Sequence, residues 1–343
     1  MEVKKEVTIY DLAKTLNYSP STISRALNNH KSISKKTIKL VKETAEKVGY
    51  RPNNLAAGLR NNKSKTIGIL VSHLNRPFVS TLISGIEESA RKAGYNVLIS
   101  QSYDEAEIEI ANARTLYDSR VSGLIVSLAM QTELYDHFKQ FTDQGIPIVF
   151  VDRVPKTYNS YKVIIDNYTA GYKATKHLIQ GGCKRIAHFA GSQHRNVYED
   201  RKKGYVDALK EHNLPIDESL IIPFKTLSFE EGEKATKKLL KMEQPPDAIF
   251  SANDTAAVSA ILCAKKMGFS VPEDLAIIGF NDDPISKIVE PALSTISHPA
   301  LKMGKISAKR ILEHEQKEQD DLLTEVSVLN TEVIARASTR PIN

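Results

Sequence analysis

From residue 66 onward, short runs of Val, Ile and Leu alternate with longer helical segments. The first four runs are TIGILV, YNVLIS, GLIVSL and IPIVFV, and KVIID, RIAHFAG, LIIPF, DAIFSAND and LAIIGF repeat the scheme. Continuous apolar runs indicate strands buried on both faces, and their alternation with helices predicts parallel sheets covered by helices. The two series predict two doubly wound α/β lobes with a ligand cleft between them, at the carboxyl ends of the strands.

The first 50 residues have a different, all-helical pattern. Three helix starts are indicated by Thr8 with Asp11, by Ser19 followed by Pro20, and by Ser34. Each start is followed by apolar residues at helical spacing: Leu12, Ala13 and Leu16, then Ile23, Ala26 and Leu27, then Ile38, Val41, Ala45 and Val48. The serine- and threonine-rich second segment could by itself be a loop or an ordinary helical hairpin. Together with the third helix, which Gly49 closes, it predicts a helix-turn-helix head.

Charge is distributed unevenly along the chain. Residues 1–65 contain 14 Lys and Arg against 5 Asp and Glu, a net charge of +9, and the whole chain has +6, which leaves −3 for residues 66–343. A basic head on a mildly acidic body is typical of a nucleic-acid-binding module. We expect salt-dependent contacts with DNA phosphates from Lys4, Lys5, Lys31, Lys35, Lys36 and Lys63.

Several classes of protein are disfavoured by the sequence. There is no run of about 18 uncharged apolar residues and no secretory signal, so we expect a cytoplasmic protein. Cys183 and Cys263 stand far apart, which favours buried thiols over a structural zinc site. No phosphate-binding loop, HExxH or GxSxG motif is present, and we interpret His188 as a core histidine and His194 as a loop residue. The sequence therefore predicts no catalytic residue, no metal site and no cofactor.

Segments spread over essentially the whole chain resemble the lactose-repressor (LacI/GalR) family of bacterial transcription factors. They are TIYDLAKTLNYSPSTISRALN, VGYRPNNLAAGLR, TIGILV, IPIVFVDR, IIDNYTAGYKATKHLI, RIAHFAG, SANDTAAVSA, VPEDLAIIGFND and ALSTISHP. The resemblance implies a sequence-specific DNA-binding regulator, by the commoner family behaviour a repressor, whose operator affinity is controlled by a small-molecule effector such as a sugar. The core would resemble the periplasmic sugar-binding fold.

The resemblance also implies a division of the chain. Residues 1–51 would form the three-helix head, 52–65 a hinge helix and linker, and 66–343 the effector-binding and dimerisation core. The chain would cross between the two lobes near Lys162, Ser294 and Thr324. Lobe 1 would then comprise 66–162 plus 294–323, and lobe 2 would comprise 163–293 plus 324–343.

Roles in DNA binding are implied position by position. Pro20, Ser21 and Arg25 match base-reading positions of the family, and Tyr10, Thr22, Ser24 and Asn28 match backbone-contacting or helix-packing positions. Proline donates no hydrogen bond, so direct reading would rest on Ser21 and Arg25, and arginine can bind guanine through two hydrogen bonds. Residues 50–60 taken alone resemble a flexible linker. The family resemblance implies instead a hinge helix that folds on DNA, with Asn53 near its start and Leu59 as the wedge in the minor groove.

Candidate effector ligands are polar or aromatic residues that follow strands. Each alone is usually a turn or helix-cap residue, and their shared place at the carboxyl edges favours a site. The resemblance implies a pocket lined by Asn75, Phe78, Asp152, Arg195, Arg201, Asn253 and Asn281. The two arginines point weakly to an acidic or phosphorylated sugar. Aspartate is the commonest family residue at 281, whereas asparagine there keeps one acceptor and adds donors.

Two further expectations concern partners and alternatives. A single short recognition helix reads about one half-site, so we expect a homodimer on palindromic double-stranded DNA. The C-terminus, ARASTRPIN, carries no leucine heptads, so we expect no coiled-coil tetramer tail. The main alternatives are an enzyme, which lacks its motifs, and a transport-associated sugar-binding protein, which the basic head disfavours.

Overall fold

A computed structural model describes residues 7–50, 64–314 and 324–342. The chain divides into two compact units, with the division between Ser64 and Lys65. Most of the expected hinge and linker, including Asn53 and Leu59, lies outside the described residues, as do Lys4, Lys5 and Lys63.

The head contains helices α1 (Ile9–Leu16), α2 (Pro20–Leu27) and α3 (Lys35–Val48). The predicted caps are present: Thr8 and Asp11 form a capping box, and the Ser19 and Ser34 hydroxyl oxygens accept the backbone N–H groups three residues on. Helix α1 ends at Asn17 and α3 at Gly49, both in the left-handed conformation.

The head encloses its own small core, in agreement with the predicted apolar faces. The buried members are Leu12, Ala13, Ile23, Ala26, Val41 and Ala45. Tyr50 packs against their edge. Val48 continues the apolar pattern of α3 but is 37 % exposed, because it lies in the last turn of the helix.

The second unit alternates strands and helices, as the sequence predicts. Its helices are α4 (Pro77–Lys92), α5 (Ala106–Asp118), α6 (Lys139–Thr142), α7 (Asn167–Gln180), α8 (Asn196–Glu211), α9 (Phe229–Leu239), α10 (Asp254–Lys266), α11 (Ile285–Ile288) and α12 (Ala300–His314). Its strands are β1 (Thr66–Val71), β2 (Asn96–Gln101), β3 (Gly123–Val126), β4 (Ile148–Val151), β5 (Tyr161–Ile165), β6 (Ile186–Ala190), β7 (Ile221–Pro223), β8 (Ala248–Ser251), β9 (Ala276–Asn281), β10 (Ser294–Ser297), β11 (Val326–Leu329) and β12 (Val333–Ile334).

These strands form two six-stranded sheets, one in each lobe. The first has the order β11-β5-β4-β3-β1-β2 with every pairing parallel, and the second has the order β12-β10-β9-β8-β6-β7. In the second sheet only β12 pairs antiparallel, with β10. Strands β3, β4, β6 and β8 are buried along their whole length, which confirms the prediction from their apolar runs.

The chain crosses between the sheets at β5, β10 and β11, a few residues later than the sequence-based boundaries. Tyr161–Ile165 lies in the first sheet, so the boundary near Lys162 moves to the end of this strand. Ser294–Ser297 pairs with β9 in the second sheet, so lobe 1 does not resume at 294. Val326–Leu329 pairs with β5, so the last crossing follows Leu329. Pairing between distant strands decides these boundaries.

Helices α7 and α8 approach each other closely through two glycines. A Cβ atom on Gly204 would lie 2.2 Å from the carbonyl oxygen of Tyr168, and one on Gly171 would lie 2.4 Å from the carbonyl oxygen of Arg201. Both positions therefore require glycine. This contact brings Arg201, on α8, beside Asn167 at the start of α7.

Candidate nucleic-acid interface and ligand cleft

Helix α2 presents one polar stripe on the surface of the head. Ser21, Arg25 and Asn28 are exposed, and their spacing of four and three residues places them along one face. The opposite face carries the buried Ile23 and Ala26. The stripe therefore leaves its side chains accessible while the rest of the helix is anchored in the head core.

The other predicted DNA-binding residues of the head flank this stripe. Thr22 and Ser24 are half-buried, and Pro20 is the first residue of α2. The hydroxyl groups of Ser21 and Thr22 both lie 2.8 Å from the Ser19 hydroxyl. Tyr10, on α1, is 70 % exposed. Asn28 donates to the carbonyl oxygen of Ser24 at 2.9 Å, so one of its two donors serves the end of the helix.

The surface of the head is electropositive. Residues 7–50 contain eight Lys and Arg against three Asp and Glu. Arg25 forms no ion pair within the described residues, whereas Lys39 lies 3.8 Å from Glu43 and Lys42 donates to Asn29 at 2.7 Å. An unpaired arginine on an exposed helix face is free to meet a base edge or a phosphate.

Arg201 is held inside the cleft of the second unit. Its Nε donates to Asn167 Oδ1 and its Nη1 donates to the carbonyl oxygen of Ala252, each at 2.9 Å. The guanidinium lies 3.5 Å above the ring centre of Phe280. Burial lowers the pKa of Arg201 to about 10, so the side chain remains charged at neutral pH.

The start of α8 forms a bridge between the lobes. Arg195 donates to the carbonyl oxygens of Met130, at 3.1 and 3.2 Å, and of Thr132. Arg153, after β4, donates to Asp104 at 2.5 Å and to the Tyr198 hydroxyl at 3.4 Å. Arg195 is therefore engaged with backbone carbonyl groups of the opposite lobe.

An aromatic pair and a carboxylate meet at the centre of the cleft. Phe78, at the start of α4, stacks on His298 with 4.1 Å between ring centres. His298 Nδ1 lies 3.1 Å from Asn281 Oδ1, and His298 Nε2 lies 3.8 Å from Asp152 Oδ1. Asp152 has a left-handed backbone with φ of 63°, which turns the chain sharply after β4. Burial raises the pKa of Asp152, and the charges of Arg153 and Arg201 oppose that rise.

Phe78, Asn281 and His298 border a cavity of about 280 Å³, and Asp152 is not part of its lining. Its lining includes Phe78, Thr81, Asn281, Asp283, Ser297 and His298. The structure thus brings together four of the seven predicted effector residues. His298 contacts three of them, Phe78, Asp152 and Asn281. The fourth, Arg201, lies over the ring of Phe280, which also packs against His298. Burial raises the pKa of Asp283 to about 6, although a hydrogen bond from Asn281 opposes the rise.

The remaining predicted residues have structural partners or lie apart. Asn253 caps α10: its Oδ1 accepts the Ala256 N–H at 2.9 Å and its Nδ2 donates to the carbonyl oxygen of Leu227 at 2.9 Å. Both ends of this amide are therefore used within the protein. Asn75 is exposed in the loop before α4, and its side chain forms no hydrogen bond within the described residues.

His298 was not predicted from the sequence as a site residue. It follows strand β10, whose sequence STIS lacks the apolar run that marked the other strands. The structure also settles the two histidines that were weighed beforehand. His188 lies in the core, stacked on Phe250 and Tyr205, with Nδ1 3.0 Å from the Phe250 carbonyl oxygen, and His194 is exposed in a loop. Both interpretations are confirmed.

Cys183 and Cys263 are buried free thiols, as predicted. Within the described ranges, no group of three or more His, Cys, Asp or Glu side chains is arranged to hold a metal ion. No helix among the described residues has the length and hydropathy needed to cross a lipid bilayer.

Two sequence families match the two units of the chain. The model of bacterial regulatory proteins of the lacI family matches residues 8–53. The model of periplasmic binding proteins and the sugar-binding domain of the LacI family matches residues 64–332. The first match covers the three helices of the head, and the second covers both sheets except β12.

Curated proteins with similar sequences match over nearly the full length. Catabolite control protein A of Priestia megaterium is 32 % identical over 316 residues, covering 92 % of this chain and 94 % of that protein. The HTH-type transcriptional repressor CytR of Escherichia coli strain K12 is 31 % identical over 346 residues, covering 100 % of both chains. The solved structure of the lac repressor dimer bound to operator and the anti-inducer ONPF has a TM-score of 0.86 at 24 % identity, covering 98 % of this chain and 100 % of that one.

Proposed function

This chain belongs to the LacI family of bacterial regulatory proteins and is therefore a DNA-binding transcriptional regulator and not an enzyme, and from that premise we propose that it is a cytoplasmic repressor controlled by a carbohydrate-type effector. The head binds a palindromic operator as part of a homodimer, because one short helix contacts about one half-site. The effector occupies the cleft between the two lobes of the core.

The exposed stripe of α2 is the observation that supports the operator-reading role. Ser21 and Arg25 contact base edges in the major groove, and Arg25 pairs with a guanine. Tyr10, Thr22, Ser24 and Asn28 contact phosphates or fix the orientation of the helix, and Pro20 contributes apolar contact only. The net charge of the head adds an attraction to the phosphate backbone that does not depend on sequence.

The connection between the two units is assigned from the family resemblance. Asn53 begins a hinge helix and Leu59 wedges into the minor groove, where an apolar side chain unstacks a base step and bends the duplex. Effector binding changes the relative orientation of the lobes and thereby the stability of the hinge.

The cavity beside the Phe78–His298 stack supports the effector site. Phe78, Asp152, Arg201 and Asn281 contact the effector or hold its immediate neighbours. Arg195 bridges the lobes when the cleft is closed, and Asn253 supports the cleft wall by capping α10. Asn75 is assigned to the effector site from the family resemblance alone.

Selection of duplexes from a random library by the full-length protein tests this function. We expect enrichment of a palindrome, followed by two variants measured on it. Replacing Arg25 by alanine should reduce discrimination at one base pair of each half-site by about 1–3 kcal/mol. The control Lys36→Ala changes an exposed lysine at the start of α3 and should weaken binding to all sequences equally.

Two results would contradict the proposal. Equal loss across all sequences for Arg25→Ala would reduce Arg25 to a phosphate contact. The absence of any preferred duplex, with and without added metabolites, would rule out the regulator function itself.

A further inference from the structure

Lobe 1 contains a buried carboxylate that is separate from the cleft residues described above. Glu109, on α5, is completely buried, and a carboxylate in such a place needs hydrogen-bond donors around it. Its Oε2 accepts the Ala129 N–H at 2.6 Å and its Oε1 accepts the Thr132 hydroxyl at 2.7 Å. His137 Nε2 lies 3.1 Å from Oε1. All three partners lie between residues 129 and 137, so Glu109 anchors the loop that follows β3.

Asp104, in the turn before α5, holds the same loop. Its Oδ1 accepts the Met130 N–H at 3.2 Å, and its backbone carbonyl oxygen accepts the Gln131 N–H at 3.2 Å. The peptide bond between Met130 and Gln131 is trans, so its N–H and C=O groups point in opposite directions. Because the Gln131 N–H points to Asp104, the Met130 carbonyl must point away from it.

The carbonyl oxygens of Met130 and Thr132 receive Arg195, which belongs to lobe 2. Arg195 directly precedes α8 and is 4 % exposed. Its Nε and Nη2 donate to the Met130 oxygen at 3.2 and 3.1 Å, and Nη2 also donates to the Thr132 oxygen. Thr132 therefore donates to Glu109 through its hydroxyl and accepts from Arg195 through its carbonyl. The position of this acceptor depends on the buried carboxylate behind it.

The contact of Arg195 is buried, whereas other polar contacts between the lobes are more exposed or longer. Exposed ion pairs contribute little to stability, and a hydrogen bond weakens as it lengthens. A buried guanidinium with two acceptors is therefore the stronger link. The other contacts join Arg76 to the Thr226 carbonyl oxygen (3.1 Å, exposed), Lys156 to Glu199 (2.7 Å, exposed), the Val154 N–H to Asn196 (3.3 Å) and Arg153 to the Tyr198 hydroxyl (3.4 Å).

We propose that Glu109 is a positioning residue for the control of operator binding. It fixes the Met130 and Thr132 carbonyl oxygens as a receptor for Arg195, and the contact of Arg195 with this receptor holds the two lobes together in the ligand-free protein. The inference rests on the proposed function, in which the orientation of the lobes governs operator affinity. Arg195, which the family resemblance assigns to the effector pocket, then serves the contact between the lobes.

The distance between the lobes can be measured on the full-length protein without ligand or DNA. Asp118→Cys on α5 and Lys210→Cys on α8 place spin labels at two exposed positions, one in each lobe, and labelled chains are diluted with unlabelled ones. Cys183 and Cys263 are buried and should remain unlabelled. We expect one short distance. Adding Arg195→Ala should produce a second, longer distance and raise the ratio of separated to joined lobes about tenfold or more, because it removes three hydrogen bonds of a charged group.

Glu109→Gln and Thr132→Val interrupt the support of the receptor while Arg195 remains. Each should increase the separated population several-fold, and the matched control Glu107→Gln, at an exposed carboxylate on the same helix, should not. A double substitution distinguishes positioning from a general structural role. In the Arg195→Ala background, Glu109→Gln should cause no further separation of the lobes, whereas its effect on thermal stability should persist.

Operator affinity connects the contact with regulation. On the duplex selected by the unmodified protein, Arg195→Ala and Glu109→Gln should change the affinity of the ligand-free protein in the same direction. The change should be larger for Arg195→Ala, because this variant removes the contact itself. Glu107→Gln should bind like the unmodified protein.

The outcomes separate this inference from the function on which it rests. An unchanged distance for Arg195→Ala, or two comparable distances in the unmodified protein, refutes the lobe contact. The positioning role is refuted if neither Glu109→Gln nor Thr132→Val separates the lobes, or if the effect of Glu109→Gln persists without Arg195; should Glu109→Gln fail to fold, Thr132→Val decides. Unchanged operator affinity in variants with separated lobes refutes the link to regulation, whereas the proposed function fails only if the protein prefers no duplex.

Discussion

Replacing Asp254 by asparagine should remove a large pH dependence from the stability of the core. Asp254 is the first residue of α10, and its side chain is completely buried. It accepts the Asp283 N–H and the Thr295 hydroxyl, each at 2.7 Å. Despite these bonds, burial raises its pKa from 3.8 to about 7, and the nearby Asp283 carboxyl raises it further.

The magnitude follows from linkage between protonation and folding. Between the unfolded pKa of 3.8 and the folded pKa of about 7, the folded state keeps a proton that the unfolded state has released. Stability therefore falls as the pH rises through this window. At about 1.4 kcal/mol per pKa unit, the full difference is about 4 kcal/mol, of which about 3 kcal/mol falls between pH 5 and pH 8. Asparagine is neutral throughout and removes the dependence.

Urea unfolding at pH 5 and pH 8 measures the effect. The unmodified protein should lose about 3 kcal/mol more than Asp254→Asn over this interval. Asp118→Asn, at an exposed position on α5, serves as the matched control and should follow the unmodified protein. Parallel stability curves for the unmodified protein and Asp254→Asn would show that Asp254 is ionised at both pH values and would refute the reasoning.

Two other perturbations test the packing of the core and the hinge. Gly204→Ala places a Cβ atom 2.2 Å from the Tyr168 carbonyl oxygen, so α7 and α8 must move apart. We expect the free energy of unfolding to fall by at least about 3 kcal/mol. The control Lys210→Ala, at an exposed position on α8, should change it little. Normal stability of Gly204→Ala would mean that the helix contact yields easily. Leu59→Ala removes the proposed minor-groove wedge, so operator affinity in a fluorescence anisotropy assay should fall while effector affinity is unchanged. Undiminished operator binding would rule out the wedge.

Local signals in the sequence were sufficient for the head and for most strands. The caps at Thr8, Ser19 and Ser34 involve side chains and backbone within three residues, so they can be recognised without tertiary information. Continuous apolar runs correctly predicted the strands buried on both faces, β3, β4, β6 and β8. The same interpretation was wrong for β2, an edge strand with no fully buried residue. The sequence placed the three crossings near Lys162, Ser294 and Thr324, a few residues before the ends of β5, β10 and β11, because only pairing with distant strands defines where these strands end.

The site was predicted less completely than the fold. A strand-end position brings a residue to the cleft but does not show how its hydrogen-bonding groups are used. Arg195 and Asn253 reach the expected edge and are engaged by backbone groups there. His298 was not among the predicted residues, and its contact with Asn281 spans 17 residues of sequence. A contact between two side chains so far apart in the sequence leaves no periodic pattern by which it could be predicted.

The position of β11 and β12 near the C-terminal end of the sequence affects when the two sheets can be completed during synthesis. Each of the two sheets takes an edge strand from the stretch after residue 325: β11 joins β5 in the first, and β12 joins β10 in the second. A ribosome must therefore release almost the entire polypeptide before either lobe can acquire its final strand. A premature stop codon just upstream of Val326 would leave both lobes with an unpaired sheet edge, a feature that promotes aggregation.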